Sequence, residues 1–478
     1  MMHSAIDTNL IGSHSIVKVY NYKNEDICMY VLKQCIQAIL LLSLFTLPTI
    51  ASAQLSGKVF PFPVKVFQLE NGLTFVSVIY DSPGIIAYYT IVRTGSRNEV
   101  DKGFSGYAHF FEHMMFRGTE ECPSEKYNQI IKQLGAESNA FTTDDWTAYH
   151  FLVNNEALET IMEIESDRFI NLKYSREDFK TEAGAILGEY SMNFSNPFLM
   201  LSEKLYGEAF VQHPYKHTTL GFLDDIKDMP NHYDYSVQFY DRYYRPENCI
   251  VLVVGDVDQK KLETLAKNYY GNWKHGSFVP SIPKEPSQTG EKTARITRTV
   301  KTLPHLMIGY HTPAFSDTSR DIPAIDILSQ LVFSQNSPLF QRLFVEEQVV
   351  DLLAGGAVDH RDPHLFEITA RVTKPDKIEY VQNAILTEIE KYKTTPVDRQ
   401  KLADTKSYMR YSFAMNLNSA KNIAETVGHY LQLTRDPETV NRIYEQYEKV
   451  TAEDIMRVAK TYFTASNRSV VILTEGGK

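Results

Sequence analysis

The sequence has little cysteine: four residues in 478, of which Cys28 and Cys35 precede residue 54. A disulfide-stapled scaffold is excluded, and Cys122 and Cys249 are expected as free thiols, Cys249 within the apolar strand pattern "NCIVLVVGD". Positive charge is also short, with 49 Lys and Arg against 59 Asp and Glu and a net charge of −10. That balance argues against nucleic acid as a partner, because such domains carry a basic excess to neutralise phosphates. Long apolar runs are missing too. The run from Ala38 to Leu47 is too short to span a bilayer, follows Lys33 and precedes Ala51-Ser52-Ala53, which is the pattern of a secretory signal peptide. Residues 1–53 are therefore expected to be an N-terminal extension and signal cleaved near Ala53, with the true start at Met29. The same reading expects a periplasmic or secreted chain with no integral membrane segment after the cut.

What is present is ample for more than one domain: 43% hydrophobic and 12% aromatic residues. "VKVFQLENGLTFVSVIY" alternates as strand, Asn71-Gly72 turn, strand, and "IIAYYTIV" reads as a further strand. From Ser105 to about Phe116 the apolar spacing becomes helical, with Gly118 as the stop. Mixed strands and helices indicate an α+β fold. "GSFVPSIPKEPSQTGEK", with Pro280, Pro283 and Pro286, is the best linker in the chain. Domains are expected over 55–275 and 297–478, joined by a linker over 276–296. "YYRPENCIVLVVGD" in the first and "TYFTASNRSVVILTEGG" at the end share an aromatic pair, a polar loop with Asn and an apolar strand. That similarity suggests two homologous αβ domains, each a mixed β-sheet flanked by helices.

"GYAHFFEHMMFRGTE" places His109 and His113 four residues apart, with Glu112 beside them. On a helix both rings leave one face about 5–6 Å apart at Cβ, close enough to share an ion. Ordinary helix-face residues give the same bare match, but Phe110, Phe111, Met114, Met115 and Phe116 leave little of this helix polar, and buried titratable groups call for a partner. A third ligand has to come from elsewhere. "SREDFKTEAGAILGEYSMNF" offers a second helix with Ser175 as N-cap and Asp178 in its first turn. Glu182 and Glu189 lie seven apart, on one face of it. Gly184 and Gly188 each cost that helix about 1 kcal/mol, which suggests a close backbone approach.

His109, Glu112 and His113 match HxxEH, the inverted zinc-protease motif, and Glu189 follows the second histidine by 189 − 113 = 76 residues. With "GAESNAFTTDDWTAYHF", "HPYKHTTLGFLDDI" and "FYDRYYRPENCIVLVVGD", the chain resembles the pitrilysin or insulinase family of zinc metallopeptidases. The likeness is to its half-size branch, which includes mitochondrial processing peptidases and their bacterial relatives. The resemblance implies His109, His113 and Glu189 as ligands of one zinc ion per chain, Glu112 as general base, and Glu182 as the carboxylate that orients a ligand. It also implies peptide binding by strand addition along Asn139, Ala140 and Phe141, with Phe116 and Phe141 as pocket walls. A His, His, Glu set suits several divalent metals, and zinc is the family's expectation.

The second half has no HxxEH. Where the family carries an arginine and a tyrosine that hold the substrate carbonyl and the oxyanion, this sequence has Phe344 and Asp351 in "LFVEEQVVDLLAGG", neither of which can donate such a bond at neutral pH. The expected assembly is a heterodimer with a similar half-size chain bearing the missing pair, or else a homodimer. Two readings follow: a zinc-dependent endopeptidase acting on short or unfolded peptides, or a non-catalytic peptide-binding or assembly subunit of a heteromeric peptidase.

Overall fold

The alternating stretch after residue 63 forms two antiparallel strands, β1 (Val64–Gln68) and β2 (Thr74–Ile79), with Val64 opposite Val78. In the computed structural model, which describes residues 58–476, the turn between them needs Gly72: its φ is +90°, and a Cβ there would lie 3.0 Å from that of Glu247. The signal-peptide reading of residues 1–53, including Met29 and the cut near Ala53, lies outside the described residues. Four more strands complete the first sheet: β3 (Ile85–Val92), β4 (Glu137–Thr142), β5 (Thr147–Asn154) and β6 (Cys249–Gly255). Their order is β1-β2-β6-β3-β5-β4, with only β2 and β6 parallel. The second sheet holds β7 (Lys292–Arg298), β8 (His305–His311), β9 (Val350–Ala357), β10 (Leu365–Val372) and β11 (Arg468–Glu475), in the order β7-β11-β8-β10-β9.

Set β1 aside and number each half's strands along the chain, and both sheets read 1-5-2-4-3, with the first and fifth strands parallel and every other pair antiparallel. The duplicated α+β architecture is thus present strand for strand. The Pro-rich stretch after helix Gln259–Tyr270 carries no regular structure until β7 begins at Lys292.

Each half also lends one helix to the other. Helix Pro197–Ala209 packs on β7, β8 and β11, burying Leu201 and Leu205 against Met307, Val471 and Leu473. Helix Ala420–Thr434 packs on β3 and β6, burying Ile423, Val427 and Leu431 against Ile91, Leu252 and Val254. Both are the third long helix after the fourth strand of their half, so the exchange is symmetrical. Gly309 admits the first of them closely, since a Cβ on it would come within 3.3 Å of both Leu205 methyls. Cys122 and Cys249 are buried and free. Among the described residues no helix is long and apolar enough to cross a membrane.

Candidate metal centre

Helix Tyr107–Met114, the histidine helix, starts at Gly106, whose φ of +88° and lack of a side chain leave it no cap of its own. A Cβ there would meet the Leu220 carbonyl oxygen at 2.7 Å. The cap comes from outside: the Glu99 carboxylate accepts the N–H groups of Gly106 and Ala108, both at 2.7 Å, where the helix dipole favours an anion. Burial pushes the Glu99 carboxyl up to about 8, against the pull of those amides. Tyr107, Phe110, Phe111 and Met114 are fully buried, with Phe111 stacked on Phe239 at 5.6 Å. This packing fixes the rotation of the helix and leaves His109, Glu112 and His113 on its other side.

Helix Arg176–Asn193, the glutamate helix, opens with the expected capping box. Ser175 Oγ accepts the Asp178 N–H at 3.0 Å, and Asp178 accepts the Ser175 N–H at 2.9 Å. Phe179, Ala183, Ile186 and Tyr190 are its buried stripe. Beside that stripe Glu182 and Glu189 turn toward the histidine helix. Glu189 Oε2 lies 3.6 Å from His109 Nε2 and 3.5 Å from His113 Nε2. Ligand bonds of about 2.0–2.1 Å at tetrahedral angles put donor atoms about 3.3 Å apart, so Glu189 Oε2 already stands within a few tenths of an ångström of that spacing from each ring, and all three donor atoms lie within 4.8 Å of one another.

The protonation pattern agrees. Burial, then the neighbouring His113, push His109 down to about 4, so its ring is neutral at pH 7. Glu182 Oε1 sits 2.9 Å from His113 Nδ1 and takes its N–H, which leaves Nε2 aimed at Glu189. The same hydrogen bond raises His113 above its ordinary range. Although burial opposes it, Glu182 is held below the usual carboxylate range by the bonds from His113 and Arg117, the latter at 2.7 Å. With a cation in place of the proton that His113 otherwise favours, two imidazole nitrogens and a carboxylate form a set that fits a four-coordinate ion with one position open. Gly184 and Gly188 do not mark a close backbone approach, since a Cβ on either would meet nothing within 4 Å.

Glu112 accepts a 2.7 Å bond from Thr142 Oγ1, at the end of edge strand β4. Burial raises the Glu112 carboxyl above its ordinary value, and the Thr142 bond works the other way. A cleft of about 370 Å³ beside it is lined by Glu112, His113, Phe116, Asn139 and Glu182 among others. Asn139 turns its Oδ1 back onto the Ala140 N–H at 2.9 Å. Phe141 lies elsewhere: it meets Trp146 edge-on at 4.8 Å and packs with the cluster under helix Ala420–Thr434. Strand alternation sends the side chains of Ala140 and Thr142 toward the histidine helix and that of Phe141 through to the opposite face. Of the two proposed pocket walls, only Phe116 borders the cleft.

In the second half, Phe344 is exposed and stacks on Phe340 at 4.7 Å, while Asp351 is paired with Arg371 at 2.7 Å. Neither offers a donor to a substrate carbonyl. Sequence reading missed Glu99 and Arg117. Arg117, four residues beyond His113, carries a helical-spacing signal; Glu99 carries none, because its role depends on the fold.

Known proteins resemble this chain along most of the described residues. A family profile described as "Insulinase (Peptidase family M16)" matches residues 86–221, and one described as "Peptidase M16 inactive domain" matches 233–409. The chain is 31% identical to "Zinc protease PqqE" of Helicobacter pylori over 419 residues, covering 85% of this chain and 91% of that protein. It is 21% identical to "Uncharacterized zinc protease YmxG" of Bacillus subtilis over 413 residues, 86% of this chain and 99% of that one. The crystal structure of a protease from Helicobacter pylori superposes with a TM-score of 0.81 at 30% identity, covering 86% of this chain and all of that one. An M16-like peptidase from Alicyclobacillus acidocaldarius shares the fold, with a TM-score of 0.77 at 19% identity over 87% of this chain and 99% of that one.

Proposed function

We propose that this chain, which belongs to the insulinase family, peptidase family M16, is a zinc-dependent endopeptidase that cleaves short or unfolded peptides. The observation that carries the reading is the convergence of His109 Nε2, His113 Nε2 and Glu189 Oε2 at 3.5–3.6 Å contacts, with Glu112 on the same helix. A zinc ion held by these three residues supplies a Lewis acid and a water acidic enough to ionise near pH 7. Glu112, unprotonated, takes the proton from the attacking water and hands it to the leaving amide nitrogen. Glu182 fixes the His113 tautomer, and Arg117 keeps Glu182 charged.

Substrate enters as an added strand on β4, an edge strand whose end touches Glu112 through Thr142. Main-chain pairing there accepts any extended chain and rejects folded ones. The Ala140 N–H is covered by Asn139 in the free protein and has to be released for pairing. Residues 1–53 direct this activity to the periplasm or outside the cell.

The test is Glu112→Gln. The expected result is full metal content with peptide cleavage lost; cleavage that survives the change would overturn the assignment. A second reading, a subunit that works only beside an active partner, draws on exposed Phe344 and the Asp351–Arg371 pair, two positions that give the oxyanion no donor. Tyr408, Tyr411 and Met415, exposed along helix Arg399–Asn416, offer a partner an apolar stripe. Zinc-loaded chain that cleaves only after addition of a half-size partner supports this second reading, and cleavage by the chain alone removes it.

A further inference from the structure

The turn that joins β4 to β5 and the loop that joins β9 to β10 are equivalent positions in the two halves, and they meet. Asp144 from the first lies 3.1 Å by Oδ2 from His360 Nε2 and 3.9 Å from His364 Nε2 of the second. All three donor atoms fall within 4.8 Å of one another. Both histidines are buried, 8% and 4% exposed, with their rings stacked at 3.8 Å and 11°.

The hydrogen bonds fix which atoms carry protons. His360 Nδ1 is 2.7 Å from the Val358 carbonyl oxygen, which can only accept, so a ring N–H is there and Nε2 is the nitrogen left to face Asp144. On a neutral ring that contact sets a lone pair against a carboxylate oxygen. A second proton on His360 would relieve this one contact and leave His364 Nε2, buried and without a hydrogen-bond partner, facing the same oxygen with nothing between. One divalent cation relieves both at once. The surroundings resemble those of the first centre: a backbone carbonyl orients one histidine, and Ser96 Oγ donates to the other Asp144 oxygen at 2.9 Å, the outer bonds that hold ligands in place at metal sites. The donor spacings bracket the roughly 3.3 Å of a tetrahedral zinc set, and closing on an ion asks the stacked rings to tilt until their lone pairs converge. A cavity of about 600 Å³, bordered by these three residues and by Tyr206, Glu367 and His429, gives entry and room for a water ligand.

We propose that Asp144, His360 and His364 form a second metal site, for a divalent transition cation of zinc's class, that clamps the two halves together at their matching loops. Two imidazoles and one carboxylate select such an ion over magnesium or calcium, which prefer oxygen sets. The clamp lies two residues from Thr142, so it also steadies the strand end that holds Glu112.

Metal binding to chelator-treated full-length chain tests this with the first centre removed. H109A/H113A, checked for folding by circular dichroism, is titrated with Zn2+ by calorimetry and with Co2+ by visible absorption. The expected result is one tight equivalent that raises the melting temperature, with affinity falling at least roughly 100-fold on adding Asp144→Asn or H360A/H364A. Folded H109A/H113A that takes up no metal, or that keeps its equivalent unchanged by those additions, overturns the site. Where H109A/H113A does not fold, wild-type protein decides between the same outcomes: two equivalents falling to one in Asp144→Asn support the site, and one equivalent in both refutes it. Because the first-centre ligands are absent or untouched in each arm, failure here leaves the peptidase reading standing.

Discussion

Thr142→Val removes the hydrogen-bond donor under the general base. Valine fills the space of threonine but cannot donate, so what disappears is the 2.7 Å bond from Oγ1 to Glu112 Oε2, along with a long 3.4 Å contact from Thr147 Oγ1, which keeps its 3.0 Å bond to the Thr94 carbonyl. A bond to a charged acceptor is worth about 1.5–3 kcal/mol, and it favours the carboxylate over the carboxylic acid. At about 1.4 kcal/mol per unit, its loss raises the Glu112 pKa by about 1–2 units. That rise adds to the upward push Glu112 already feels from burial. The base acts unprotonated, so the acidic limb of kcat/KM against pH moves to higher pH by about the same amount. Below the limb the rate falls about tenfold for each unit, and well above it the rate stays within a few-fold. The assay is kcat/KM for a quenched fluorescent peptide across the pH range, with metal content checked at each point. Thr142→Ser, which keeps the donor, should restore the limb. If valine lowers the rate equally at every pH, or shifts the limb downward, Thr142 only packs the β4–β5 hairpin and the electrostatic account is wrong.

Two further outcomes follow from the same geometry. Glu182→Gln weakens the orientation of His113 and should cost about 10–100-fold in metal affinity, measured by competition with a chromophoric chelator; unchanged affinity would show that His113 is held by packing alone. Leu205→Ala empties a fully buried socket and should cost about 2–5 kcal/mol. Because the leucine belongs to one half and its neighbours Met307 and Val471 to the other, denaturant unfolding should show both halves shifting together. A variant whose second half alone melts early would contradict the exchange.

The histidine helix was legible in the sequence because it rests on local periodicity, while Glu189 as the third member came from the family resemblance. His109, Glu112 and His113 share a helical face whatever the surrounding fold, and the Ser175–Asp178 box announces the helix that brings Glu189. The duplicated sheets were legible too, through the repeated aromatic pair, Asn loop and apolar strand ahead of β6 and β11. What stayed hidden depends on tertiary placement. Phe141 carries the same pattern whichever face of β4 it takes, and only packing sends it away from the cleft. Asp144 and His360 are 216 residues apart, joined by no local spacing. Gly184 and Gly188, whose low helix propensity suggests room for a neighbour, face open space, and nothing else in this chain explains them.

The crossing of helices Pro197–Ala209 and Ala420–Thr434 between halves separates two meanings of the word module. The unit that was copied is contiguous in the gene, but the unit that folds borrows a piece from its twin. Recombination that replaced either copy at the proline-rich joint would deliver a sheet with a foreign lid, so each copy is bound to drift in step with the other. Divergence is then cheapest on elements that pack mainly within their own half, as the histidine helix and its counterpart Asp321–Phe333 do, and it is there that one copy carries HxxEH residues and the other has none.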